Sequence, residues 1–85
     1  MDLNEKVRNL VESSVKEAGY ILDEIKYVTE DGQKVLMVVI DKEDGVITLD
    51  DCVKVTEIVN PMIEEADLIE ENYVLDICSK EKGCN

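Results

Sequence analysis

Among the residues that could do chemistry, Asp and Glu are the most numerous, and many of them fall in one turn. The chain has 21 Asp and Glu against 9 Lys and Arg, a net charge of −12. Residues 41–51 resemble the acidic loop of an EF-hand calcium site, with Gly45 at the sixth position of the loop. That register places Ile40 and Lys42 where the motif requires oxygen ligands, and the turn follows a predicted strand where the motif needs a helix. We therefore predict no metal site.

Other residue types used in catalysis or cofactor binding are scarce or poorly spaced. The chain has no His, which removes the commonest general base. Cys52, Cys78 and Cys84 lack both CxxC spacing and a fourth zinc ligand, so we interpret them as ordinary thiols. The four glycines form neither a phosphate-binding loop nor the GxxG clamp of a KH domain. We predict no enzyme activity and no cofactor; an enzyme with paired carboxylates would need a cleft that raises the pKa of one carboxyl group.

Length and charge limit the partners that the chain can bind. Its 85 residues suffice for one domain with one core, which must be aliphatic because Phe and Trp are absent. The negative field repels phosphates and attracts basic partners, so bare nucleic acid is an unfavourable ligand.

No apolar run could cross a bilayer, and the first ten residues do not resemble a secretory signal. We expect a cytoplasmic protein.

The first half of the chain predicts a helix followed by a strand. Apolar residues at spacings of three and four indicate an amphipathic helix over residues 4–18, ended by Gly19. Residues 20–28 then have the composition of a strand, but their apolar residues fall out of strict alternation. This irregularity predicts a β-bulge near Asp23 and Glu24.

A hairpin and a second strand follow. Asp31-Gly32 lies between two apolar segments and predicts a tight turn, because both residues tolerate positive φ. Residues 35–40 are apolar on both faces, which favours a strand in the interior of the sheet. Thr48 is then placed to cap a second helix whose first turn carries Asp50 and Asp51.

The second helix and the last strand complete the pattern. Pro61 interrupts the helix, which must either kink there or end and restart. Residues 73–78 alternate as a strand, with Tyr73, Leu75 and Ile77 facing the core. The predicted buried face of the second helix consists of Leu49, Cys52, Val53, Thr56, Val59, Ile63 and Ala66.

The predicted order is α-β-β-α-β. This order fits an α+β two-layer sandwich, with both helices on one face of a three-stranded sheet. The last strand could pair with either strand of the hairpin, so strand order stays open. The other sheet face, if aliphatic, is a candidate docking surface.

Several segments together resemble the N-terminal domain of RimP, the ribosome maturation factor family, over residues 3–79. The most specific part of the resemblance is residues 41–52. The segments that carry it are Gly19-Tyr20, residues 35–40 running into Asp41-Lys42, Gly45-Val46-Ile47-Thr48-Leu49-Asp50-Asp51-Cys52, Asn60-Pro61 and Tyr73-Val74-Leu75.

The resemblance implies a bacterial cytoplasmic factor that binds the free small ribosomal subunit late in its maturation, with a fold related to type-two KH domains. It supplies no catalytic residues. Together with the net negative charge of the chain, the resemblance predicts a basic ribosomal protein as partner and little direct contact with nucleic acid. We predict that Glu43, Asp44, Asp50 and Asp51 contribute to the partner-binding face.

The alternative is a stand-alone interaction or self-association module without a ribosomal role. The C-terminal end motivates it, because members of the family continue through a Ser-Ser-Pro-Gly turn into a small barrel. Here the corresponding residues 78–83 keep at most the second serine. We expect a domain over residues 1–79 followed by a polar tail over residues 80–85.

Overall fold

A computed structural model describes residues 2–81 and contains two helices and three strands. The predicted order α-β-β-α-β is confirmed. The elements are helix α1 (Leu3–Glu17), strands β1 (Ile21–Glu30) and β2 (Gln33–Asp41), helix α2 (Leu49–Ala66) and strand β3 (Tyr73–Ser79).

The three strands form one mixed sheet in the order β1-β2-β3. The β1 and β2 strands pair antiparallel as a hairpin, whereas β3 runs parallel to β2 after the crossover through α2. The strand order left open by the sequence is therefore settled, and β2 is central as its apolar composition predicts.

Helix α1 ends where the sequence predicts, through a Schellman motif. The backbone N–H of Tyr20 donates to the carbonyl of Val15, and that of Gly19 donates to the carbonyl of Lys16. Gly19 has φ +94°, a conformation that residues other than glycine rarely adopt. The motif turns the chain directly from α1 into β1.

The predicted bulge in β1 is confirmed, and an arginine holds it. The register between β1 and β2 shifts between Leu22 and Glu24, which leaves Asp23 as the extra residue. Arg8 on α1 donates from Nη2 to the carbonyl of Asp23 at 2.6 Å, and Lys80 pairs with the carboxylate of Asp23 at 3.3 Å. The bulge is thus tied to α1 on one side and to the residue after β3 on the other.

The core lies between the sheet and the two helices and is mainly aliphatic, as predicted, with Tyr20 also buried in it. Tyr73, Leu75 and Ile77 of β3 pack against it, which confirms their predicted direction. Its most buried members are Val7, Val11 and Val15 of α1, Leu36, Val38 and Ile40 of β2, and Val55, Val59 and Ile63 of α2.

The predicted buried face of α2 is wrong at three residues, Leu49, Val53 and Ala66, which are exposed. Leu49 and Val53 are 75% and 55% exposed, whereas Val55, which the prediction omitted, is fully buried. The buried stripe runs from Asp51 through Val55 to Ile63, rotated around the helix from the predicted one. The cause is that Asp51 points inward, where its carboxylate accepts hydrogen bonds from Tyr20 and Thr48, so Leu49 and Val53 face outward.

Pro61 lies inside α2, which continues through it to Ala66. The helix therefore neither ends nor restarts at this residue. Pro61 itself is exposed, so its ring projects away from the core.

The C-terminal part of the described chain differs in detail from the prediction. Ser79 is buried and belongs to β3, while Lys80 and Glu81 form a turn. Cys78 is almost fully buried in β3. Cys84 and most of the predicted tail lie outside the described residues.

Within the described range, neither helix is long and apolar enough to cross a bilayer.

Candidate partner-binding site

The loop between β2 and α2 and the first turn of α2 together present three of the four carboxylates predicted to bind a partner. Glu43, Asp44 and Asp50 are exposed. The turn is closed by a hydrogen bond from the backbone N–H of Gly45 to the carbonyl of Lys42 at 2.8 Å. The carboxylate of Asp44 accepts the backbone N–H of Val46 at 3.0 Å. Local hydrogen bonds thus fix the backbone that carries these charges.

A capping box joins this loop to α2. The Thr48 hydroxyl accepts the backbone N–H of Asp51 at 3.2 Å, and the Asp51 carboxylate accepts the backbone N–H of Thr48 at 2.8 Å. The two residues therefore satisfy each other's backbone donors at the start of the helix. The predicted role of Thr48 as N-cap is confirmed.

The fourth predicted residue, Asp51, points into the protein. It is 5% exposed, and Tyr20 donates its hydroxyl to Asp51 Oδ1 at 2.6 Å. Lys42 Nζ lies 3.5 Å from Asp51 Oδ2 and 5.9 Å from the centre of the Tyr20 ring. Asp51 therefore links the end of α1, the β2–α2 loop and the first turn of α2.

The network shifts the pKa values of Asp51 and Tyr20. The backbone N–H of Thr48, followed by the Tyr20 hydroxyl, holds the pKa of Asp51 well below its usual range, against the opposing effect of burial. The hydrogen bond to Asp51, together with burial, raises the pKa of Tyr20 to about 12. At neutral pH the pair is a carboxylate and a neutral phenol, the two forms that make this hydrogen bond.

Apolar side chains are exposed beside the carboxylates. Leu49 and Val53 are separated by four residues, so they are neighbours on one face of α2. Val46, in the loop, is 51% exposed. We call Val46, Leu49 and Val53 the α2 patch.

The sequence signalled only the local part of this site. The spacing of Thr48 and Asp51 is that of a capping box, which identifies the helix start. The bond between Tyr20 and Asp51 joins residues far apart in the chain, and no local pattern marks it. The inward direction of Asp51 was missed for this reason.

The described residues offer little for a metal site. Across residues 2–81, no three Cys, Asp or Glu side chains are grouped as a bound ion would need. The four carboxylates in and beside the loop do not point to one place. Asp51 faces the protein interior, whereas Glu43, Asp44 and Asp50 face solvent.

Comparison with known families agrees with the resemblance of the sequence. A family model described as the RimP N-terminal domain matches residues 10–80, from within α1 to the residue after β3. RimP is a ribosome maturation factor, and the domain is not known as an enzyme family. Because the match spans most of the chain and includes the whole site, the chain belongs to the RimP N-terminal domain family.

Proposed function

We propose that this chain binds the free small ribosomal subunit during its late assembly, through contact with a basic ribosomal protein. The observation that carries the proposal is the arrangement of Glu43, Asp44 and Asp50. Glu43 and Asp44 are exposed on a loop that a buried network holds in place, and Asp50 is exposed in the adjoining first turn of α2, in a domain of charge −12. Family membership supplies the connection to ribosome maturation.

A fixed acidic loop suits recognition of a cationic protein surface. Complementary charge raises the association rate and selects orientation, and a loop that is already ordered loses little entropy on binding. In this proposal Glu43, Asp44 and Asp50 contact the partner. Asp51 contributes from the interior, because its bonds to Tyr20 and Thr48 position the loop.

The proposal includes a cytoplasmic location in a bacterium and a role in binding without catalysis. The same charge that attracts a basic protein repels RNA phosphates, so direct contact with ribosomal RNA should be minor. The ordering of Asp51 and Tyr20 as a carboxylate and a neutral phenol supports this assignment, because neither is poised to transfer a proton near neutral pH.

We expect the chain to sediment with purified small subunits and not with large subunits or assembled ribosomes. Neutralising the loop with Glu43→Gln, Asp44→Asn and Asp50→Asn should weaken binding by roughly tenfold at low salt and by much less at high salt, because salt screens exposed charges. The measurement is the dissociation constant at two salt concentrations for the original chain and the triple variant.

A matched control removes three charges elsewhere. Glu5, Glu30 and Glu65 are also exposed, and they lie in the first turn of α1, at the end of β1 and near the end of α2, away from the loop in sequence. A triple Gln variant at these positions should bind nearly as well as the original chain. Equal losses in both variants would show that only net charge matters, and no selective binding by the original chain would overturn the proposed function.

Self-association is a second candidate, favoured by the position of β3. This strand is at the edge of the sheet, and its Val74 is 43% exposed. Edge strands can pair with another chain. If this is the function, sedimentation equilibrium should show a mass that rises with protein concentration, and Val74→Lys should reduce the association. A monomer at all concentrations would reject this candidate.

A further inference from the structure

Two large aliphatic side chains on α2 are exposed, although other aliphatic side chains on the same helix are buried. Leu49 and Val53 are 75% and 55% exposed, whereas Val55 and Val59 are fully buried. A single exposed aliphatic residue is ordinary. Two that are neighbours at a four-residue spacing form a continuous apolar surface on the outer side of the helix.

Val46 extends the α2 patch into the loop. It is 51% exposed and comes three residues before Leu49. Its backbone N–H is bonded to Asp44, and the loop is joined to α2 by the capping box of Thr48 and Asp51. The backbone under the patch is therefore fixed at both ends.

Negative charge predominates around this apolar surface. Asp50 is three residues before Val53 on the helix, and Glu57 is four residues after it, so both carboxylates neighbour Val53. Asp50 and Glu57 are exposed, as is Asp44 in the loop. Lys54, an exposed cation on the same helix, offsets only part of this charge. A complementary surface must be apolar at its centre and mainly positive around it.

We propose that the α2 patch is the centre of the partner surface and receives an aliphatic or aromatic side chain from a positively charged protein segment. This inference rests on the proposed function and adds to it the contact that supplies affinity. Interfaces draw most of their binding energy from a few well-packed residues that are shielded from water near the centre, while the charged rim mainly governs encounter.

The proposal is tested with the double variant Leu49→Gln and Val53→Gln in the full chain, by co-sedimentation with purified small subunits at two salt concentrations. Gln is a good helix former and both positions are exposed, so the fold should persist. We expect binding about tenfold weaker at both salt concentrations, because apolar contact is not screened by salt.

The matched control is Ile21→Thr, which removes aliphatic surface from a strand residue that is 51% exposed. Thr keeps strand preference, and we expect unchanged binding. If the original chain binds and the Gln double variant binds equally well, the inference is overturned while the proposed function stands. If the original chain does not bind small subunits, both fail.

A photoreactive amino acid at position 53 identifies what touches the patch. Cross-linking of a bound complex should yield a small-subunit protein, with little product when the same group is placed at position 74. Cross-links to ribosomal RNA alone would overturn the proposal of a protein segment, because the partner would then be of another chemical class.

Discussion

Replacing Leu36 by alanine is expected to lower the free energy of unfolding by about 2–5 kcal/mol, the usual cost of a Leu to Ala change in a core. Leu36 is fully buried on the central strand, opposite Tyr27 of β1 and Leu75 of β3. A small domain has a total stability of only about 5–15 kcal/mol. Urea unfolding followed by circular dichroism measures the loss.

The matched control is the same substitution at Leu49. Because this side chain is 75% exposed, Leu49→Ala should change stability by no more than about 0.5 kcal/mol. Similar losses at the two positions would contradict the assignment of Leu36 to the core and of Leu49 to the surface.

Replacing Asp51 by asparagine is expected to lower the midpoint of thermal unfolding by several degrees at neutral pH. The Asp51 carboxylate accepts hydrogen bonds from Tyr20 and from both the backbone and the hydroxyl of Thr48. An amide has one oxygen for these donors, and its NH₂ group would face a donor. Thermal melts of this variant and of Asp50→Asn, a neighbouring exposed carboxylate, measure the difference.

The pH dependence of the Asp51→Asn variant has a definite sign. The pKa of Asp51 is lower in the folded protein than in the unfolded chain, chiefly because of the Thr48 backbone N–H. Its stabilisation is therefore present above the unfolded pKa of about 4 and is lost as pH falls towards the folded value. The amide of the variant cannot titrate, so its stability should fall less steeply in acid. An unchanged acid slope would contradict the proposed network.

Tyr20 gives an independent measurement of the same network. Its pKa is raised to about 12 first by the hydrogen bond to Asp51 and then by burial. In the Asp51→Asn protein the phenol should therefore ionise at lower pH, which ultraviolet absorbance detects. In the original chain, the stabilisation from this group is present below pH about 10 and lost as pH rises through about 12.

The features of the fold that sequence reasoning predicted are those with local causes. Gly19 ends α1, Asp23 forms the bulge and Asp31-Gly32 forms the hairpin turn, with φ of 50° and 78° at the two turn residues. Each depends on backbone preferences of a few adjacent residues. The element order follows because these local signals separate the apolar segments clearly.

The buried face of α2 could not be predicted in the same way. Apolar residues lie on more than one side of this helix, so periodicity alone left its rotation undetermined. The rotation is set by Asp51, which turns inward to meet Tyr20 and Thr48. That tertiary contact is also what leaves Leu49 and Val53 at the surface, and so the residues of the candidate site were only partly identified.

The mixed sheet has a consequence for how the chain folds. The β1–β2 pairing is local, because a two-residue turn connects the strands, and it can form early. The β2–β3 pairing joins Leu36 to Leu75 and must close a loop that contains all of α2. Loop closure over that distance costs more entropy, which places the docking of β3 late in folding and makes it the slower step.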